Sequence, residues 1–225
     1  MTPNRRRPHL LLGASLVVQA TTSLIGGLIG IGLFTDIGDM AGAMKSISSN
    51  IGSAYIGIIL QLITALVIVV LATALYQAGK RINKTVAVIA YGFYLTEVFI
   101  HVVNQIIVFA FVEASRQFAI SGDASLVTIG NILYSTKDFS GAIAMIPFGL
   151  GAILFYYLIT KADIIPKWLG YWGMITVSLI FVGWSLEAFG VPIPFVFYVP
   201  YVPWEWVSGV YILTKGTHQL QPLSI

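Results

Sequence analysis

The sequence predicts an all-α, polytopic integral membrane protein whose six transmembrane helices form one bundle. Composition is the first reason: hydrophobic residues make up 57% of the chain and charged residues 9%, whereas charged residues account for about 25% of soluble domains. The second reason is six apolar segments, each with about 18 or more residues, the length that spans a bilayer. Backbone groups in hydrocarbon must be hydrogen-bonded within their own segment, so these unbroken runs favour helices over a barrel of alternating strands.

Charged loops separate the six predicted helices. The helices are expected at residues 10–34, 51–76, 85–112, 140–160, 168–188 and 195–213. The longest loop, about residues 113–139, is too short for a folded core of its own, so residues 1–225 are expected to form a single transmembrane domain. Within that loop, residues 124–135 carry apolar side chains at helical spacing, which favours an outward extension of the fourth helix over a helix on the membrane surface.

The basic residues predict the orientation of the bundle. Of the 12 Lys and Arg residues, three (Lys45, Arg116 and Lys137) fall on one side, and the other nine fall at the two termini and in the second and fourth loops. By the positive-inside rule, the protein is expected in the cell (inner) membrane with both termini cytoplasmic. The net charge of +3 then suits anionic lipid and requires no nucleic acid.

The beginning of the chain has an alternative interpretation. Basic residues followed by an apolar run and Val18-Gln19-Ala20 are also typical of a cleaved secretory signal. The apolar run continues to about residue 34, however, which is longer than a signal needs and favours a retained first helix. The chain contains no cysteine, which excludes disulfides and thiolate ligands.

Two stretches carry a family resemblance. Residues 161–173, KADIIPKWLGYWG, place Ile-Pro-Lys before Leu-Gly and a further Gly, and residues 203–216, PWEWVSGVYILTKG, place a Glu in a proline-preceded apolar segment that closes with Lys-Gly. Together with the pair Phe148-Gly149, they resemble an uncharacterised bacterial six-helix membrane family, domain of unknown function 4386. The resemblance implies the six-helix fold and no activity. Trp204 and Trp206 beside the last Glu depart from many members and suggest a locally different pocket.

Ionisable residues within the apolar segments are the candidate site. Each costs about 2.5–3.5 kcal/mol at a helix centre on insertion scales, so an intramembrane carboxylate favours function. Glu97, His101 and Asn104 are spaced i, i+4 and i+7 and share one helix face. At 1.5 Å per residue, Glu97 and Glu205 both fall near the bilayer midplane. The expected ligand or proton pocket comprises Glu97, His101, Asn104, Glu205, Tyr94, Gln61 and Trp204.

The alternative is that these polar side chains only hold helices together, at about 1 kcal/mol per hydrogen bond. Glu187 at the end of the fifth predicted helix would extend a polar track outward.

Metal, haem and hydrolytic sites are less favoured by the sequence. Glu97 and His101 form a one-turn pair that would supply two metal ligands, but a third is needed. The other histidines, His9 and His218, lie at the chain ends, and His/Met haem ligation through Met145 or Met174 is weaker still. Motifs of serine hydrolases and zinc proteases are absent from the sequence. No cofactor is therefore expected, and an enzyme is the least favoured class.

Glycines and prolines predict local backbone features. Gly26-x-x-x-Gly30, Gly52 with Gly57, and Gly149 with Gly151 indicate close helix packing.

Four prolines lead into the sixth predicted helix, and each removes a backbone hydrogen-bond donor. A break or kink is therefore expected within about residues 197–204, facing the third helix. Glu205 is then expected at the floor of an outward-facing cavity. An aromatic-belted turn at the interface is the competing interpretation of the same segment.

Three functions remain open from the sequence. The first is a pocket that binds a small-molecule or lipid-like ligand with proton coupling. The second is a non-catalytic structural or accessory subunit, with a membrane protein partner or a homo-oligomer. The third is an intramembrane enzyme. No internal repeat supports an inverted-repeat transporter. Mutual proximity of Glu97 and Glu205 is the observation that the first function requires.

Overall fold

The computed structural model describes residues 7–33 and 38–215, in which the chain forms seven α-helices and no strand. The helices are α1 (Arg7–Leu33), α2 (Met40–Ser49), α3 (Ile51–Gly79), α4 (Lys84–Ser121), α5 (Ser125–Lys161), α6 (Lys167–Ala188) and α7 (Val202–Lys215). A short 3-10 turn, Phe195–Phe197, precedes α7. The all-helical class is confirmed. The basic residues Arg5 and Arg6, the predicted end of the first helix at residue 34, and His218 lie outside the described residues.

Five of these helices are long and apolar enough to cross a bilayer. The candidate spans are His9–Gly30, Ile51–Gly79, Lys84–Ser121, Ser125–Lys161 and Lys167–Ala188. The predicted count of six is not confirmed, because the last predicted helix, 195–213, is replaced by the 3-10 turn and the 14-residue α7. At 1.5 Å per residue α7 is about 21 Å long, shorter than the hydrocarbon core of about 30 Å. The expected break within residues 197–204 is confirmed.

α4 and α5 form a helical hairpin much longer than a bilayer is thick. They have 38 and 37 residues, respectively, and therefore extend about 55 Å each. Gly122 ends α4 with φ 68°, the left-handed conformation that glycine adopts without strain. Helix α5 begins at Ser125, which confirms the expected extension of the fourth predicted helix. The predicted boundaries at 112 and 140 are therefore wrong, because both helices continue past the apolar segment.

Helix α2 is an element that the apolar segments do not predict. The Asp39 side chain caps it by accepting a 3.0 Å hydrogen bond from the backbone N–H of Gly42. Its buried face, Met40, Ala43, Met44 and Ile47, recurs at helical spacing. This face packs with Phe111, Val112 and Phe118 of α4 in a hydrophobic cluster separate from the main core. Helix α2 thus covers the part of the hairpin that extends beyond the span.

Successive long helices pack as antiparallel neighbours, and α7 returns to α1. α1 packs on α3, α3 on α4, α4 on α5 and α5 on α6. Gly13 of α1 faces Leu213 and the carbonyl of Gly209, while Thr21 meets Trp206, so α1 and α7 run in opposite directions. The beginning of α1 and the end of α7 consequently lie on one side, the termini side. The α4–α5 turn at Gly122 lies on the other, the hairpin side.

Candidate functional site

Two cavities meet in the centre of the helix bundle. The smaller has a volume of about 180 Å³ and includes Glu97 and Glu205 in its wall; it is called the carboxyl cavity here. The larger, of about 610 Å³, extends towards the α4–α5 turn and is called the hairpin-side cavity. Both are lined by Ser23, His101 and Met145. These shared residues make the two cavities neighbouring compartments of one site.

Glu97 and Glu205 reach the carboxyl cavity from opposite walls. Glu97 lies on α4, 13 residues after Lys84 and about 20 Å along the helix. Glu205 lies in the first turn of α7. Both side chains are buried, with 4% and 7% of their surface exposed. Within the described chain α4 and α7 do not pack against each other, and both carboxyl groups line the cavity between them.

A short chain of hydroxyl groups positions Glu205. The turn before α7 places Tyr201 one helical turn ahead of Glu205, and its hydroxyl donates a 2.8 Å hydrogen bond to Oε1 of that carboxyl. The Tyr201 hydroxyl also lies 2.8 Å from that of Tyr156 on α5. Both tyrosines are buried in the main core. The spacing of four residues places the Tyr201 ring on the same face as the Glu205 carboxyl.

Three polar atoms around the two cavities have no hydrogen-bond partner among the described residues. They are Oε2 of Glu97, Nε2 of His101 and Oε1 of Gln61. A fourth such atom is Oε1 of Gln19, which lines the carboxyl cavity from α1. Buried polar groups are hydrogen-bonded in the great majority of cases, so each exception requires an explanation, such as an ordered water, an ion or a ligand. The four side chains that carry these atoms each line at least one of the two cavities.

The hairpin-side cavity is mainly apolar with a polar edge. Asn104 on α4 donates hydrogen bonds to the backbone carbonyl of Lys137 and to the Ser140 hydroxyl, 2.6 Å away. Asn104 in turn accepts a 3.3 Å bond from Gln105. The exposed Asp138 also lines the cavity, which shows that it reaches the protein surface on the hairpin side. Asn104 therefore holds α4 and α5 together at the cavity wall.

The short α7 explains why this cavity exists. α7 packs against the first half of α1, where Gly13 and Thr21 contact it. Gly27 and Gly30 on the second half of α1 line the hairpin-side cavity, and a Cβ atom at either would meet nothing within 4 Å. Close packing by Gly26 is confirmed, since it lies against Gln61. For Gly30 the packing prediction is wrong, because this glycine faces open space.

The other predicted glycine contacts divide in the same way. Gly57 lies against Ile29, Gly149 against Phe181 and Gly151 against Tyr94, so these close approaches are confirmed. A Cβ atom at Gly52 would meet nothing within 4 Å. The prediction at that position is wrong.

Two of the predicted pocket residues are core residues in the structure. The Tyr94 ring packs edge-on against Phe148 and Phe155, with centroids 6.2 and 5.3 Å away. Trp204 is fully buried, and its ring is tilted against that of Tyr156 with the centroids 4.0 Å apart. Its Nε1 donates a 2.7 Å bond to the carbonyl of Leu169. Neither ring lines either cavity. Glu97, His101, Asn104, Glu205 and Gln61 do line them.

Other residues of the wall were not predicted. The carboxyl cavity also includes Gln19, Tyr201 and Trp206. Sequence signals exist for two of them. Gln19 is a lone amide in an apolar helix, and Tyr201 precedes Glu205 by four residues, the spacing of one helical turn. Trp206 donates a 3.1 Å bond to Thr21. Glu187 does not extend the polar track, because it accepts a 2.9 Å bond from Tyr198 and lines neither cavity.

No group of three His, Cys, Asp or Glu side chains is placed to hold a metal within residues 7–33 and 38–215. Glu97 and His101 remain one turn apart on α4, and Glu205 lines the same cavity. The expectation that the protein has no cofactor stays a prediction.

The comparisons give a family and no activity. The family model Domain of unknown function (DUF4386) matches residues 11–216. Neither the comparison with curated proteins nor the comparison with solved structures gives a match.

Proposed function

The chain belongs to the family Domain of unknown function (DUF4386), and from the geometry of its two cavities we propose that it binds a small or lipid-like ligand inside the membrane. The observation that supports this most directly is the pair of buried carboxyl groups at the inner end of a cavity that reaches the surface. Intramembrane carboxyl groups mark ligand or ion pathways more often than packing contacts. A volume of about 610 Å³ lies within the range of small-molecule sites.

The proposed location is the inner membrane, with both termini in the cytoplasm. The antiparallel contact of α1 and α7 supports this because it puts Arg7 and Lys215 on one side. The α3–α4 and α5–α6 connections, with Lys80, Lys84 and Lys161, belong to the same side. The positive-inside rule assigns that side to the cytoplasm. The hairpin-side cavity would then open to the periplasmic face, and α7 with the turn before it would complete a sixth crossing.

Proton coupling is the second part of the proposal. Glu205, Tyr201 and Tyr156 form a connected series of hydrogen-bonding groups, and His101 lies between the two cavities. A carboxyl group, two hydroxyls and an imidazole are groups that donate and accept protons. Binding at the carboxyl cavity would therefore change the protonation of this series.

A structural subunit is the alternative function. It accounts well for Trp204 and Asn104, whose polar atoms are bonded to protein groups. It does not account for the unpartnered atoms of Glu97, His101 and Gln61, since helix-holding polar groups are by definition bonded. This difference favours the binding function.

Filling the hairpin-side cavity tests the proposal. Gly30→Phe would place a ring in open space within the cavity. Gly32→Phe, two residues away on an exposed face, is the matched control. Native mass spectrometry should detect a retained small molecule or lipid in the wild type and in the Gly32 variant, and its loss in the Gly30 variant. Equal retention by both variants, or no retained mass in the wild type, would contradict binding in this cavity.

A further inference from the structure

The carboxyl cavity is lined by two side chains, Glu97 and Gln19, that each have one hydrogen-bond acceptor with no partner among the described residues. Oε2 of Glu97 and Oε1 of Gln19 are buried and unpartnered among the described residues, and both side chains are more than nine-tenths buried. Glu205 adds a second carboxyl group to the same wall. A ligand that satisfies these acceptors brings N–H or O–H donors into the cavity. An alkylammonium group, with three donors and a positive charge, has that chemistry.

Charge points to the same class of ligand. Among the described lining residues of the carboxyl cavity there are two Glu and one His but no Lys or Arg. An ionised carboxylate in hydrocarbon is stable only when it is paired. The pair is therefore compensated either by protons on the carboxyl groups or by a cation between them. An anionic ligand would meet two acidic groups, with His101 as the single basic side chain among the described lining residues.

The rest of the wall favours an organic cation over a metal ion. Phe148 and Trp206 contribute aromatic rings, and Ile68 and Ile180 contribute aliphatic side chains. Calcium takes about six to eight oxygen ligands, and within residues 7–33 and 38–215 no group of three His, Cys, Asp or Glu side chains is placed to hold a metal ion. Aromatic rings attract alkylammonium groups through their π faces. The neighbouring hairpin-side cavity, largely apolar, has room for an alkyl or acyl chain attached to the cation.

We propose that the ligand is an amphiphilic amine whose ammonium group lies between Glu97 and Glu205 and whose apolar part occupies the hairpin-side cavity. This rests on the proposed binding function and specifies its ligand class. Binding displaces a proton: the cation pairs with one carboxylate, the O–H bond of that carboxylic acid breaks, and the proton leaves to bulk water. No electrons are transferred. The protein thereby exchanges one positive charge for another within the bilayer.

The titratable groups near Glu97 and Glu205 come from α4, α5 and the turn before α7. α4 supplies His101, and Tyr94 lies beside the same helix face. α5 supplies Tyr156, and the turn before α7 supplies Tyr201. The described lining residues from α1, α3 and α6 do not titrate. Proton release on binding therefore arises from the two carboxyl groups and this surrounding set.

Calorimetry with three matched probes tests the charge preference. The full chain in phosphatidylcholine nanodiscs is titrated with n-hexylammonium, 1-hexanol and hexanoate, which share a chain and differ in charge. We expect hexylammonium to bind about tenfold or more tightly than hexanol, and hexanoate to bind most weakly. Repeating the titration at pH 7 in phosphate and Tris buffers, which differ in ionisation heat, should show release of about one proton per ligand.

Substitutions test whether Glu97 and Glu205 cause the preference for hexylammonium and the release of the proton. Glu97→Gln and Glu205→Gln should each lose the preference for hexylammonium and the proton release, while Glu97→Asp keeps the preference in weaker form. Glu187→Gln is the control, because Glu187 bonds Tyr198 and lines neither cavity, and it should match the wild type. Equal affinity for hexylammonium and hexanol would overturn the amine proposal and leave the binding function standing. Absence of binding for all three probes, together with no retained mass, would overturn both.

Discussion

Replacing Gly173 with Ala is expected to destabilise the fold where α7 begins, whereas the same change at Gly92 should stabilise it. Gly173 on α6 faces the Trp204 ring, and a Cβ atom there would lie 2.6 Å from Cζ2 and 2.7 Å from Nε1. Gly92 on α4 is exposed, and a Cβ atom there meets nothing within 4 Å. Both changes occur within helices, so both gain about 1 kcal/mol of helix propensity. That shared gain cancels in the comparison.

The remaining difference is the steric cost at Trp204. The ring is fully buried, is tilted against that of Tyr156 and is held by its bond to the Leu169 carbonyl, so it has little room to move. Overpacking of a tight core costs about 1–3 kcal/mol. The free energy of unfolding should therefore be about 1–3 kcal/mol lower for Gly173→Ala than for Gly92→Ala.

Equilibrium unfolding in mixed micelles, followed by tryptophan fluorescence and circular dichroism, measures this difference. The double variant Gly173→Ala with Trp204→Phe should recover part of the loss, because the smaller ring removes the clashing atoms; a double-mutant cycle isolates that coupling. Equal stabilisation by both alanine substitutions would refute the placement of Trp204 against α6. It would also remove the basis for locating Glu205 in the carboxyl cavity.

Two further predictions concern topology and the carboxyl groups. Reporter fusions after Lys215 and at Asp123 should report opposite compartments, with the Lys215 fusion cytoplasmic; a periplasmic signal at Lys215 would contradict the proposed orientation. Glu97→Gln and Glu205→Gln should fold nearly as the wild type does, because an amide keeps much of the hydrogen bonding of a protonated carboxyl group. Leu at either position should abolish hexylammonium binding even where it raises thermal stability. A more stable Leu variant with full binding would exclude a role of that carboxyl group in binding the amine.

Hydrophobicity predicted the long helices and failed where helices leave the apolar segments. α3 and α6 begin within one residue of the predicted positions, 51 and 168, because a change from polar to apolar composition marks their ends. α4 continues nine residues past the predicted end at 112, because its last turns pack on α2 and α5 instead of lipid. Such a helix is stabilised by tertiary contacts that a window of apolar residues cannot detect.

The sequence predicted only part of the candidate site, because local patterns do not reveal which helices pack together. Glu97, His101 and Asn104 share a face by helical periodicity alone, so their common orientation could be inferred before any fold was known. The partner helix could not, since nothing local specifies that α7 faces α4 across a gap. Tyr94 lies near the same face, but its ring packs against Phe155 in the main core. Intramembrane polarity identifies candidates, and only the packing separates cavity residues from core residues.

The prolines before α7 connect the break in the chain to the site. A backbone break within a membrane requires that the freed polar groups find partners. Here the carbonyl of Pro200 accepts a 3.0 Å bond from Nε1 of Trp172 on α6, and the backbone N–H groups of Tyr201 and Val202 bond within the turn. These hydrogen bonds within the protein stabilise the break.

Two features beside the break bear on the candidate site. Tyr201 is placed where its hydroxyl meets Glu205, and α7 becomes too short to cover the second half of α1, where Gly30 opens onto the hairpin-side cavity. A continuous helix would keep Tyr201 and Glu205 one turn apart on the same face, so their hydrogen bond follows from the spacing of the two residues. The break bears on the site through the length of α7, none of whose residues lines the hairpin-side cavity.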